Sequence, residues 1–267
     1  MNKGYADFAV EYKQDEKGRY LFPRDTAYRR KLGFTGDMRT HPTMNNLYLV
    51  EELIKYASAP GSTVMDIMAG SGSIFVGALL QRTVIALELS PFFIDAMREG
   101  KRVMGLEDKP IYILEGDCRK LLPMKGIQCI IFSPPYGKAF TSNSMDERSR
   151  SQNPESYAKF TAGDDRTNLG MMNDFLYNQR MEEIYRLCHD SLAPGGYCCV
   201  IIRDHTAKGV EVPFTLRAMQ LLQQSGLEYD NWFKRYVEGS TKARYNRSMG
   251  YHVVDEESAI IFRRPLE

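Results

Sequence analysis

The chain has 267 residues, 43% of them hydrophobic and 26% charged, with a formal net charge of +1. That is enough apolar material for a core, which excludes disorder as the main state, and the length suits one large domain or two small ones. The near-neutral charge excludes a uniformly basic nucleic-acid coat but leaves room for a local basic patch, and no apolar run reaches the roughly 18 residues of a membrane span.

The first forty residues are polar, aromatic and mixed in charge, and carry the basic run Arg29-Arg30-Lys31. They read as an N-terminal extension, 1–40, to a domain over 41–267. No apolar stretch follows Lys3, so the start does not read as a secretory signal and a cytoplasmic location is expected. Apolar pairs at Leu49/Val50, Leu53/Ile54 and Tyr56/Ala57 predict a helix over 51–57, stopped by Pro60-Gly61. Strands and helices then alternate. Strands are expected at 63–67, 84–87, 111–114, 127–132 and 197–202. Helices are expected at 73–81, at 91–104 with Ser90 as N-cap, at 175–192 closed by Pro194-Gly195-Gly196, and at 213–225. Residues 137–170 read as a long polar loop, and 232–236 with 259–263 as a final strand pair. This pattern predicts an α/β fold: an open, mainly parallel sheet with helices on both faces and a ligand site at the strands' carboxyl ends. Cys118, Cys129, Cys188, Cys198 and Cys199 contain no C-x-x-C, and the four histidines have no ligand spacing. Buried reduced thiols are expected, and no metal.

Three acids follow three successive strands. Asp66-Ile67-Met68-Ala69-Gly70-Ser71-Gly72 leaves the first strand and opens a helix. Its small residues let backbone approach a ligand closely, while Asp66 would repel a phosphate and suits a cationic or neutral nucleoside-type cofactor. Glu88, followed by Leu89, ends the second strand, where an acid can accept from ribose hydroxyls. Asp117, followed by Cys118, ends the third, where it could accept from an adenine amine or simply cap a short helix.

Ser133-Pro134-Pro135-Tyr136 follows the apolar fourth strand. Two prolines cannot continue a central strand, so the chain leaves the sheet there in a fixed shape. That frees the Ser133 hydroxyl and the Pro134 carbonyl as acceptors, with the Tyr136 ring beside them. Two acceptors and a stacking face suit an amino group on a planar base.

These motifs resemble those of the S-adenosyl-L-methionine-dependent amino-methyltransferases that methylate cytosine N4 or adenine N6 in DNA. Residues 66–73 are similar to the family's D-x-x-x-G-S-G motif, and Glu88 and Asp117 to its ribose and adenine acids. Ser133 to Tyr136 is similar to its catalytic motif in the Ser form typical of N4-cytosine enzymes. His41-Pro42-Thr43-Met44 resembles the motif bordering the methionine pocket, and the turn at 192–197 resembles L-x-P-G-G-x. Where relatives often carry Pro-Phe, this chain has Ile67-Met68, and Met68 offers a soft packing surface. The resemblance implies a Rossmann-like methyltransferase fold with a seven-stranded sheet and S-adenosylmethionine as cofactor. His41, Pro42, Thr43, Asp66, Met68, Ala69, Gly70, Ser71, Gly72, Glu88, Leu89, Asp117, Cys118 and Ser133 would bind that cofactor. It also implies DNA as partner, with the target base flipped out.

Two segments are candidates for target recognition. Loop 137–170 carries Lys138, Arg148 and Arg150, and segment 232–252 interleaves Lys234, Arg235, Lys242, Arg244 and Arg247 with aromatics, as suits phosphates and bases. A mobile loop and a solvated hairpin are the plainer readings of the same residues. Arg29-Arg30-Lys31 reads as a solvated face, with a DNA contact as the alternative. N6-adenine methylation, RNA methylation and a catalytically idle nucleic-acid-binding subunit stay open as alternatives. So do the oligomeric state and the setting, whether with a restriction partner, as a solitary methylase or on a phage.

Overall fold

The computed structural model describes residues 4–41, 44–135, 168–207, 210–238, 245 and 247–267. The strands are β1 (Thr63–Asp66), β2 (Thr83–Glu88), β3 (Ile111–Glu115), β4 (Ile127–Phe132), β5 (Leu192–Ile202), β6 (His205–Ala207), β7 (Val210–Val212), β8 (Glu228–Tyr236) and β9 (Glu256–Arg263). The α-helices are α1 (Thr26–Leu32), α2 (Leu47–Ala57), α3 (Val76–Leu79), α4 (Pro91–Val103), α5 (Cys118–Leu121), α6 (Asp174–Ser191) and α7 (Phe214–Gln224).

Seven strands form one sheet in the order β3-β2-β1-β4-β5-β9-β8. The first five in sequence run parallel, β9 is antiparallel to β5, and β8 is antiparallel to β9. This is the expected mainly parallel sheet. Its strand order reverses between β1 and β4, so a ligand crevice is expected at their carboxyl ends. Side chains alternate cleanly across the sheet. Val64, Cys129, Ile131, Cys199, Ile201 and Ile261 join the α2–α3–α4 face, while Met65, Ile130, Phe132, Cys198, Val200 and Ile260 join the face covered by α5, α6 and α7. Period-two burial on both sides explains why these strands are nearly continuous apolar runs.

The N-terminal residues are part of this core. Phe8, Phe34 and Met38 are buried with α2 and α4. The Phe8 ring stacks on Phe233 of β8 at 3.8 Å. Tyr20 N–H donates to the Lys234 carbonyl (2.8 Å) and Tyr236 N–H to the Tyr20 carbonyl (3.0 Å), so the segment runs along the outer edge of β8. This pairing is a single bridge between Tyr20 and Arg235 at the C-terminal end of β8.

Three elements differ from expectation. The helix expected over 73–81 is a 3₁₀ turn (Ser73–Phe75) followed by the single turn of α3. Gln81 then takes a left-handed conformation (φ 63°) that swings the chain into β2. The helix before Pro194-Gly195-Gly196 ends at Ser191 as expected, but β5 begins at Leu192 rather than 197, so Pro194-Gly195-Gly196 lies inside the strand, where the register with β4 shifts between Ile127 and Cys129. It is a bulge, and Gly196 is needed there because a Cβ would sit 2.9 Å from the Ala193 carbonyl and 3.0 Å from that of Ile127. The β6–β7 hairpin has too few residues for its alternation to register in the sequence. Among the described residues, no helix is long and apolar enough to cross a membrane.

Candidate active site

The loop after β1 is built around two acids, the buried Asp66 and the half-buried Glu88. Asp66 is only 4% exposed, and its Oδ1 accepts the Met68 N–H at 2.9 Å. Burial pushes its pKa up to about 8; the Met68 bond opposes the shift and the Glu88 charge adds to it. Glu88 closes β2 and fastens the loop. Its Oε2 accepts the Gly70 N–H (2.7 Å), and its Oε1 accepts the N–H groups of Leu89 and Ser90 (2.8 Å each). Burial raises the Glu88 pKa against these three donors. A carboxylate offers about four acceptor positions. Three are engaged, which leaves Glu88 one for a ligand rather than the pair that two ribose hydroxyls would use.

The loop's glycines have a physical reason. Gly70 (φ 50°) and Gly72 (φ 77°) are left-handed, which an L side chain resists. A Cβ on Gly70 would lie 2.9 Å from His41 Nε2, and one on Gly72 would lie 3.0 Å from Met97 Cγ. Ala69 N–H donates to the Leu87 carbonyl (2.8 Å), and Ser71 is buried. His41 thus stands directly over the loop, its ring 4.8 Å from that of Phe93. Pro42 and Thr43 lie outside the described residues.

Asp117 is the N-cap of α5, its Oδ1 accepting the Arg119 N–H at 3.0 Å. Its Oδ2 also takes the Arg119 guanidinium at 2.6 Å, both side chains being 9% exposed. Burial works against the charge, but the Arg119 bonds hold the Asp117 pKa below its ordinary value. The capping alternative is therefore realised, and an adenine amine would have to share this carboxylate with Arg119. Cys118 is buried and its thiol is pushed up to about 12 by burial, so it is inert.

Ser133-Pro134-Pro135 leaves β4 at the neighbouring position. Val64 pairs with Cys129 and Met65 with Ile130. Continuing that register puts Ser133 level with Met68, so the two loops emerge side by side where the strand order reverses. Pro134 is buried, while Ser133 and Pro135 are half-buried. Tyr136 lies outside the described residues. Among the described residues, no group of His, Cys, Asp and Glu is arranged to hold a metal.

A family model described as DNA methylase matches residues 8–99, which is 92 of the 267 residues. It spans the N-terminal segment, the glycine loop and Glu88. Among solved structures, an S-adenosylmethionine-dependent methyltransferase from Methanosarcina mazei superposes with a TM-score of 0.50 at 13% identity, covering 80% of this chain and 97% of that one. The fold is that of an S-adenosylmethionine-dependent methyltransferase. A geranyl diphosphate methyltransferase in complex with sinefungin gives a TM-score of 0.53 at 11% identity, covering 82% and 78% of the two chains. A protein described as precorrin 8W decarboxylase from Methanobacterium thermoautotrophicum gives 0.51 at 16% identity, covering 84% and 94%. Among curated proteins, none matches this chain in sequence. The methylase match covers about a third of the chain, and the superpositions show the fold.

The basic residues are more constrained than their sequence suggests. Lys234 and Arg235 are successive on β8 and so face opposite sides of the sheet. Lys234 pairs with Glu256 at 2.7 Å and lies over the Trp232 ring, Arg235 pairs with Glu257 at 2.6 Å, and Arg247 pairs with Asp255 at 3.3 Å. Lys234 and Arg235 therefore do not form one cationic face. Lys138, Arg148, Arg150, Lys242 and Arg244 lie outside the described residues. Arg29 is another correction. Far from solvated, it is 1% exposed and reaches the Ser73 hydroxyl beside the glycine loop at 3.2 Å. The signal that could have found it is its spacing, since Asp25 and Arg29 are four apart on one helical face.

Proposed function

We propose that this protein methylates the exocyclic N4 amine of cytosine in DNA. The observation that carries the reading is the adjacency of two loops at the switch point: the acid-flanked glycine loop after β1 and Ser133-Pro134-Pro135 after β4. The residues fit the cofactor on three counts. Asp66 is a buried carboxyl suited to a cationic group, Gly70 and Gly72 present bare backbone where a side chain has no room, and Glu88 keeps one acceptor position for a ribose hydroxyl. When bound, S-adenosylmethionine supplies an electrophilic methyl group on a sulfonium.

The chain's own part is positioning. An exocyclic amine is a weak nucleophile because its lone pair is delocalised into the ring. The Ser133 hydroxyl and the Pro134 carbonyl accept its two N–H groups, draw the nitrogen toward a tetrahedral shape and orient the lone pair. Alignment of this kind supplies much of the rate. In a duplex the base is first flipped out, and Tyr136 stacks on it. The released proton passes to solvent. Lys138, Arg148 and Arg150 of segment 137–170, with Lys242 and Arg244 between β8 and β9 in the sequence, are the proposed phosphate contacts, and the cytoplasm is the proposed location. The DNA methylase description of residues 8–99 supports DNA over RNA. The Ser form of the motif favours cytosine N4, and adenine N6 is the same mechanism on the other base. The test is transfer of label from methyl-labelled S-adenosylmethionine to unmethylated DNA and to RNA in parallel. Label in DNA supports the reading, and label in RNA alone refutes it.

A further inference from the structure

Arg29 is a charge inside the protein core with part of its hydrogen-bonding capacity unused. Its Nε donates to Asp25 Oδ2 at 2.9 Å, while its Nη2 donates to the Asn45 carbonyl and, at 3.2 Å, to Ser73 Oγ. Among the described residues, its Nη1 is one of two buried side-chain donors without a partner, the other being Trp232 Nε1. The countercharge is also shared, because Asp25 Oδ2 accepts the Leu47 N–H at 2.9 Å as well. Burial works against the cation, and Asp25 offsets this only in part. A buried donor left open is costly, and a native structure that keeps one calls for an explanation.

The location supplies one. Ser73 directly follows Gly72, so Arg29 stands behind the end of the cofactor loop. Nη1 shares its carbon with the nitrogen that touches Ser73. A guanidinium presents its N–H groups as a planar fork matched to two oxygens. The acids of the site, Asp66 and Glu88, suit the cationic and hydroxyl groups of a nucleoside-linked amino acid, and neither can bind its carboxylate. Arg29 has the complementary charge and an open donor.

We propose that Arg29 Nη1 binds the α-carboxylate of the cofactor's amino-acid moiety, with Ser73 Oγ as its neighbour. The assignment rests on the cofactor reading above. The test compares two ligands by calorimetry: S-adenosylhomocysteine, which carries the carboxylate, and 5′-methylthioadenosine, which lacks the amino-acid part. Two variants are used, Arg29→Lys and the double variant Asp25→Asn/Arg29→Met, the second removing the buried pair together so that no lone charge is left. The expected result is that both variants bind S-adenosylhomocysteine about tenfold or more weakly, with affinity for 5′-methylthioadenosine unchanged. Equal loss of both ligands assigns Arg29 to loop architecture and overturns the proposal, as does loss of neither. Failure of the wild-type protein to bind either ligand would instead strike at the cofactor reading itself.

Discussion

Asp66 makes stability depend on pH in a direction opposite to most carboxylates. Its folded pKa of about 8 lies above the ordinary 3.8, so the folded state holds a proton that the unfolded chain releases. Below 3.8 both states are protonated and the stability is fully present; as pH rises toward 8 it is lost, because keeping the proton on the folded side costs progressively more. From pH 5 to 8 the interval is about three pH units at roughly 1.4 kcal/mol each, a loss on the order of 4 kcal/mol from this one group. The perturbation is Asp66→Asn, which conserves shape and keeps an oxygen for the Met68 N–H. The assay is urea unfolding of both proteins at about pH 5, 6.5 and 8. The wild type is expected to lose stability relative to the variant across that range. Glu88, also raised by burial, acts in the same direction in both proteins, and its charge adds to the Asp66 shift only in the wild type. A difference that stays constant from pH 5 to 8 would refute the argument. The same carboxyl shapes ligand binding: a cationic cofactor favours its ionised form, so affinity rises toward pH 8 in the wild type and loses that dependence in Asp66→Asn.

Three further outcomes follow from named contacts. Gly72→Ala forces an L side chain to φ 77° against Met97, and is expected to cost about 1–2 kcal/mol, a fall in Tm of roughly 2–8 °C; an unchanged Tm contradicts the assigned conformation. Ser133→Ala removes one of the two amine acceptors and should lower kcat about tenfold or more. Wild-type turnover in that variant removes Ser133 from the mechanism. Arg235→Ala leaves the half-buried Glu257 unpaired and is expected to destabilise by roughly 1–3 kcal/mol, while the salt dependence of DNA binding stays as in the wild type. A shallower salt slope would show that Arg235 does touch phosphate.

What the sequence made legible is what repeats or what breaks a pattern sharply. Val64, Met65, Ile130, Ile131, Cys198 and Cys199 sit in runs that only a doubly covered sheet explains, and the sheet formed as expected. Ser133-Pro134-Pro135 was visible because two prolines end a central strand wherever they fall. Features set by long-range contact were not legible. Phe8 and Tyr20 find partners on β8, more than two hundred residues away, so the N-terminal segment looked detached. Arg29 looked solvated because its partners, Asn45 and Ser73, come together only in the fold. Lys234 and Arg235 look like a basic patch because their ion-pair partners, Glu256 and Glu257, come beside them only when β9 pairs with β8. Pro194-Gly195-Gly196 carried a true signal for a break, but a bulge in a strand and the end of a helix use the same residues.

The measurement that bears most directly on the central claim is nucleoside mass spectrometry. Unmethylated DNA is incubated with the protein and S-adenosylmethionine, then digested to nucleosides. The account predicts N4-methylcytosine, formed more slowly when Asp66→Asn or Ser133→Ala replaces the wild type. N6-methyladenine would keep the site and reassign the base, and no methylated base in DNA would contradict the proposed function.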